Sequence, residues 1–142
     1  MSLDHKVVQI SAERLDGGEA VAEVQVAGLV PFVVLKISAF VDRHHDKDAY
    51  DLTWSLLNHP GGPVGAGREM AASPVIADPF AVEALALLRD RFADARNDAP
   101  MAYAAFLDVT GDREMAARLR NEAVETVRLT LESFENSRGP SA

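Results

Sequence analysis

Between residues 6 and 27 the chain alternates apolar and polar positions in two short runs, KVVQISAERL and EAVAEVQVA, both rich in β-branched residues. Period two puts successive side chains on opposite faces of a strand, and Asp16-Gly17-Gly18 between the runs offers the positive-φ positions that a tight reversal needs. A β-hairpin is expected there. Gly28 breaks the alternation, Pro31 suits the first turn of a helix, and the apolar run from Val30 to Val41 is long enough to predict a largely buried helix. After a charged turn around Arg43 to Lys47, the spacing predicts a second helix over 48–58, with Tyr50, Leu52, Trp54, Leu56 and Leu57 as apolar contacts. His59-Pro60-Gly61-Gly62-Pro63 reads as its stop.

From Val64 to Asp78 small residues and two further glycines, Gly65 and Gly67, show no steady period, which predicts a loop with at most one short helical turn. Val82, Leu85, Leu88 and Phe92 then recur at helical spacing over 79–95, and a short helix from Pro100 offers Tyr103, Phe106 and Leu107. Asp112 can cap a last helix in which Met115, Leu119, Ala123, Val127 and Leu131 recur at intervals of four up to Phe134. Residues 137–142 read as a flexible tail. The expected class is therefore α+β: one domain over 1–136, an N-terminal β-hairpin at about 6–27, then about five mostly packed helices over about 30–136. Two strands alone are marginal in water, so the hairpin is expected to lie on the helices or to join strands from elsewhere.

A chain of 142 residues suits one core. Its net charge of −8 disfavours bulk nucleic-acid binding, although a local basic pocket can still hold one nucleotide, since charges act strongly only within about 10 Å at physiological salt. The absence of cysteine removes disulfides, thiol nucleophiles and cysteine metal sites, and fits a reducing cytoplasm. The apolar stretch from Leu29 to Val41 falls short of the ~20 residues of a membrane helix, and Met1 to Lys6 lacks the order of a secretory signal, so no membrane partner and a cytoplasmic location are expected.

The densest chemistry is LKISAFVDRHHDKDAYDL, from Leu35 to Leu52. Lys36 sits among apolar residues, so its ammonium must reach a wet edge or a partner. Asp48 and Asp51, three apart, share one helix face. The hairpin, the buried helix bearing Leu35-Lys36, and the run RHHDKDAYDL from Arg43 to Leu52 resemble the later half of the AbiEii-like nucleotidyltransferases. These form a branch of the polymerase-β-type nucleotidyltransferase superfamily that includes toxins of toxin–antitoxin systems. The resemblance covers residues 20 to 57 in detail.

The resemblance implies a nucleotide cleft in which Lys36, Arg43 and Lys47 contact the nucleotide and Asp48 and Asp51 serve as catalytic carboxylates. In that family a glycine-serine turn followed by paired aspartates holds Mg²⁺, and this sequence has no such motif. No metal ligand is therefore assigned, and Mg²⁺ with a nucleoside triphosphate is expected only where an upstream half of the site is supplied. The expected protein is a C-terminal portion or degenerate relative, inactive alone, whose partners are a nucleotide and either a second copy or the missing N-terminal portion.

Blander readings stand beside these. Lys36 can pair with Asp42, Asp48 or Asp51, and Arg43, Lys47, Asp48 and Asp51 can form a network that only fixes the turn. His44 and His45 diverge by about 100° if helical and have no third histidine to complete a metal site. Trp54 and Tyr50 suit core or hairpin packing, with base stacking as the minority reading. The alternative function is a non-catalytic protein-interaction module, with a homodimer as one form of it, whose unpaired hairpin edge or apolar helix face docks a partner.

Overall fold

The computed structural model describes residues 28–138 with their side chains and, ahead of them, the backbone of 5–13 and 19–27. The backbone of β1 (His5–Glu13) and β2 (Glu19–Ala27) pairs antiparallel, His5 opposite Ala27 and Glu13 opposite Glu19. Asp16-Gly17-Gly18 and residues 139–142 lie outside the described residues. The α+β expectation does not hold. The body with described side chains is all-helical: α1 (Leu29–Arg43), α2 (Asp46–Leu57), α3 (Gly62–Ala72), α4 (Pro79–Arg91), α5 (Asp98–Leu107) and α6 (Arg113–Ser137). The fold class follows from what packs on what. Among the described residues the core is helix on helix.

Helix α3 occupies the segment expected as a loop, and it closes the bundle. Pro63 starts the helix rather than stopping the one before it, because the first-turn N–H groups have no intrahelical partner to lose. Gly62, at φ +68°, makes the turn into it. The glycines that suggested a loop serve close packing against α6. A Cβ on Gly67 would collide with the Thr130 carbonyl and come within 2.8 Å of the Phe134 nitrogen and the Ser133 Cβ. Ser133 Oγ adds a cross-link, donating to the Val64 carbonyl at 2.6 Å.

The α3 contact also changes which face of α6 is inside. Ala123, Val127 and Leu131 are buried as expected, but Met115 at the head of the stripe is 37% exposed. Thr126, Thr130 and Ser133 lie beside that stripe and are buried too. Their hydroxyls are tolerable there because Thr126 and Thr130 donate to the carbonyls of Glu122 and Thr126, one turn back, at 2.7 and 2.9 Å. On α4 the buried positions are Ala81, Ala84 and Leu88, and Val82 faces out at 56% exposure. Small residues let α4 sit close, and the larger apolar side chains are not all inward.

Aspartate side chains cap the starts of α4 and α6. Asp78 Oδ1 accepts from the Phe80 N–H at 2.9 Å, and Asp112 Oδ1 accepts from the Met115 N–H at 2.9 Å, as the sequence reading places it. The final helix runs through Ser137, a residue expected in the tail. Phe40, Ile37, Leu52, Leu56, Met70 and Leu88 fill the centre. Tyr103, on α5, stacks on Tyr50 of α2 and donates its hydroxyl to Glu122 of α6 at 2.5 Å. Burial, and then the Glu122 carboxylate, push that phenol well above its ordinary pKa, so it stays a donor.

Gly67→Ala is expected to force α3 and α6 apart and to cost about 2–3 kcal/mol, read as a lowered urea midpoint with an unchanged slope. An unchanged midpoint would show that the helices can separate freely at this crossing.

Candidate functional site

Lys36 and Arg43 stand seven residues apart on α1 and therefore on one face, two turns from each other. Below Lys36, the Phe32 ring lies one turn back, 5.8 Å from the ammonium, close enough for a cation–π contact. Phe32 is not among the residues singled out from the sequence, although its i−4 spacing from Lys36 is a signal for such a contact. At the end of α1, His44 adopts the left-handed conformation, with φ 55°, and its N–H closes on the Phe40 carbonyl at 2.7 Å. The turn is only His44-His45, so α2 begins at Asp46, two residues before the expected start. The histidines thus occupy a reversal rather than a helix. His44 packs edge-on to Phe40, and its Nδ1 lies 3.9 Å from Asp98 Oδ2.

This tight reversal brings Lys36, Arg43, Lys47, Asp48 and Asp51 together. Lys36 Nζ donates to Asp51 Oδ2 at 2.8 Å and stands 3.7 Å from Asp48 Oδ1. Arg43 Nη2 spans both oxygens of Asp48, at 3.3 and 3.1 Å. Lys47 Nζ reaches Asp51 Oδ2 at 2.8 Å along its own helix. Asp42, the third partner weighed for Lys36, instead lines a groove of about 720 Å³ between α1 and α4, where Arg43 forms part of the wall.

Exposure grades across the cluster. Asp48 is 4% exposed, the Lys36 and Asp51 side chains about a fifth exposed, and Arg43 and Lys47 more than half. Within this ion-pair set three cations face two carboxylates, one positive charge in excess, with Asp42 and Glu83 beside Arg43 along the adjoining groove. Partial burial would raise the Asp51 carboxyl, but hydrogen bonds from Lys36 and Lys47 outweigh it and hold the group below its ordinary range. The same hydrogen bond to Asp51, then its charge, raises Lys47.

The donor set does not fit Mg²⁺. The ion takes octahedral oxygen ligands, whereas the oxygen of Asp51 nearest the cluster already accepts from two ammonium groups and both oxygens of Asp48 face Arg43. A dication would have to displace three cations from two carboxylates. What the arrangement can do is present a fixed, positively biased surface to anionic oxygens, with Lys36 oriented by its partners rather than free to swing.

Comparison with family models, curated proteins and solved structures finds no match to this chain. Among the described residues no helix is long and apolar enough to cross a membrane.

Because Asp51 titrates below its unfolded value, its contribution to stability is complete above about pH 5 and is lost as the pH falls through the unfolded and then the depressed folded value. Urea midpoints from pH 7 to pH 2 are expected to fall less steeply below pH 4 in Asp51→Asn than in the wild type, while at pH 7 the variant loses no more than about 1 kcal/mol. Identical acid limbs would mean that the ammonium contacts do not perturb this carboxyl.

Proposed function

We propose that this chain carries a nucleotide-binding half-site of a nucleotidyltransferase-like, cytoplasmic protein. Lys36, Arg43 and Lys47 are the groups that meet the phosphates. The observation supporting this reading is the convergence of Lys36 with Asp51 and Asp48, at 2.8 and 3.7 Å, on a corner that water can reach. The cations alone would repel one another; the two carboxylates gather them, and the remaining positive charge favours an anionic ligand. In this role Asp48 and Asp51 act as positioning residues, holding the ammonium and guanidinium groups in place. The metal-holding carboxylates of a complete transferase site belong to another segment or partner, because the donor set here does not suit Mg²⁺. Transfer by this chain alone is not part of the proposal.

A second reading, a non-catalytic module that docks a second copy, draws on Leu35 and Phe80, which stand 64% and 68% exposed at the α1–α4 groove.

Calorimetric titration with ATP in the presence of Mg²⁺ is expected to detect binding to the wild type and at least a tenfold loss in Lys36→Met, which keeps the aliphatic stem and removes the charge. A tenfold loss corresponds to about 1.4 kcal/mol. Absence of ATP binding by the folded wild type, together with a concentration-dependent dimer, would favour the second reading.

A further inference from the structure

The half-site proposed above accounts for phosphate charge and leaves the rest of a nucleotide without a partner. On α2, Lys47, Asp51 and Trp54 fall at i, i+4 and i+7, within about 60° of one helix face. Trp54 therefore stands one turn beyond the carboxylate that holds both Lys36 and Lys47 at 2.8 Å. Its side chain is large and apolar, yet Trp54 is 51% exposed.

With half its surface in solvent, Trp54 is not one of the core residues of α2. The aromatic contacts of this flank are made by Tyr50, one turn earlier, which lies 4.5 Å from Phe106 and 6.0 Å from Tyr103 between ring centroids. Trp54 thus stands half exposed on the helix face that also carries Lys47 and Asp51. Along the helix axis, Lys47 and Trp54 are separated by about 10 Å, the length scale of a nucleoside triphosphate from its terminal phosphate to its base. Every nucleobase has a π-face that can stack on indole, whereas inorganic polyphosphate has nothing to offer it.

We propose that Trp54 is the base platform of this site, so that its ligand is a nucleoside triphosphate, stacked by its base on the indole and held by its phosphates at Lys36, Lys47 and Arg43. This rests on the half-site reading and adds the recognition of the base to it. Stacking tolerates any base, so Trp54 supplies affinity for nucleotides as a class.

Trp54 is the sole tryptophan of the chain, so intrinsic emission reports on this one ring without a label or a variant. The experiment titrates the full chain with ATP and, separately, with inorganic tripolyphosphate, following emission and calorimetric heat together. ATP is expected to quench the emission and tripolyphosphate to leave it unchanged. Trp54→Ala is expected to weaken ATP about tenfold with tripolyphosphate affinity intact, and Trp54→Phe to retain most of the ATP affinity. Equal ATP affinity in wild type and Trp54→Ala, with no quench in the wild type, overturns the platform and leaves the phosphate half-site standing. Failure of the wild type to bind either probe overturns both.

Discussion

Burying the carboxylate of Asp48 in the first turn of α2 is tolerable only if opposite charge and hydrogen bonds surround it, and this requirement organises the α1–α2 corner. Arg43 spans both of its oxygens from the last turn of α1, and Lys36 approaches from two turns earlier. Both contacts require α1 to cross over the start of α2, a placement allowed by the left-handed conformation at His44 and the two-residue turn. Asp48 also lies where the positive end of the α2 dipole favours an acid. Helix geometry, reversal and ion pairing thus agree on one arrangement.

The same agreement shapes what the corner can do. An isolated lysine would spread its ammonium over many rotamers, and ordering it on ligand binding would cost entropy. Here Asp51, the Phe32 ring and Asp48 already hold Lys36, so part of that ordering cost is met on folding. The carboxylates that hold the cations also occupy the oxygens a metal would need. An ion-pair network that fixes the turn and an anion-facing surface are therefore one structure, with Asp48 closest to the structural end and Lys47 closest to solvent.

Farther from the corner, the bundle depends on how closely α3 can approach α6. Gly67 permits backbone to meet backbone, and the threonines and serine on α6 satisfy their own hydroxyls on carbonyls one turn back or across the interface. The resulting surface is polar in composition and buried in fact. For that reason α3 reads as a loop in the sequence, being rich in glycine and alanine, and the hydroxyl-bearing flank of α6 lies outside the apolar stripe that helical spacing picks out.

The linear sequence by itself determined the amphipathic stripe of α6, its Asp112 cap, the buried run of α1 and the charged composition of the corner, because helix periodicity and capping are local and act over a few residues. It also narrowed the partners of Lys36 to three aspartates. Only the tertiary structure decided among them, choosing Asp51 and Asp48 and turning Asp42 toward the groove, because the choice depends on the crossing of α1 over α2. It likewise decided the all-helical class of the described body. Whether a glycine-rich stretch is helix or loop is settled by a neighbour within van der Waals reach, and for α3 that neighbour is α6, more than sixty residues away along the chain.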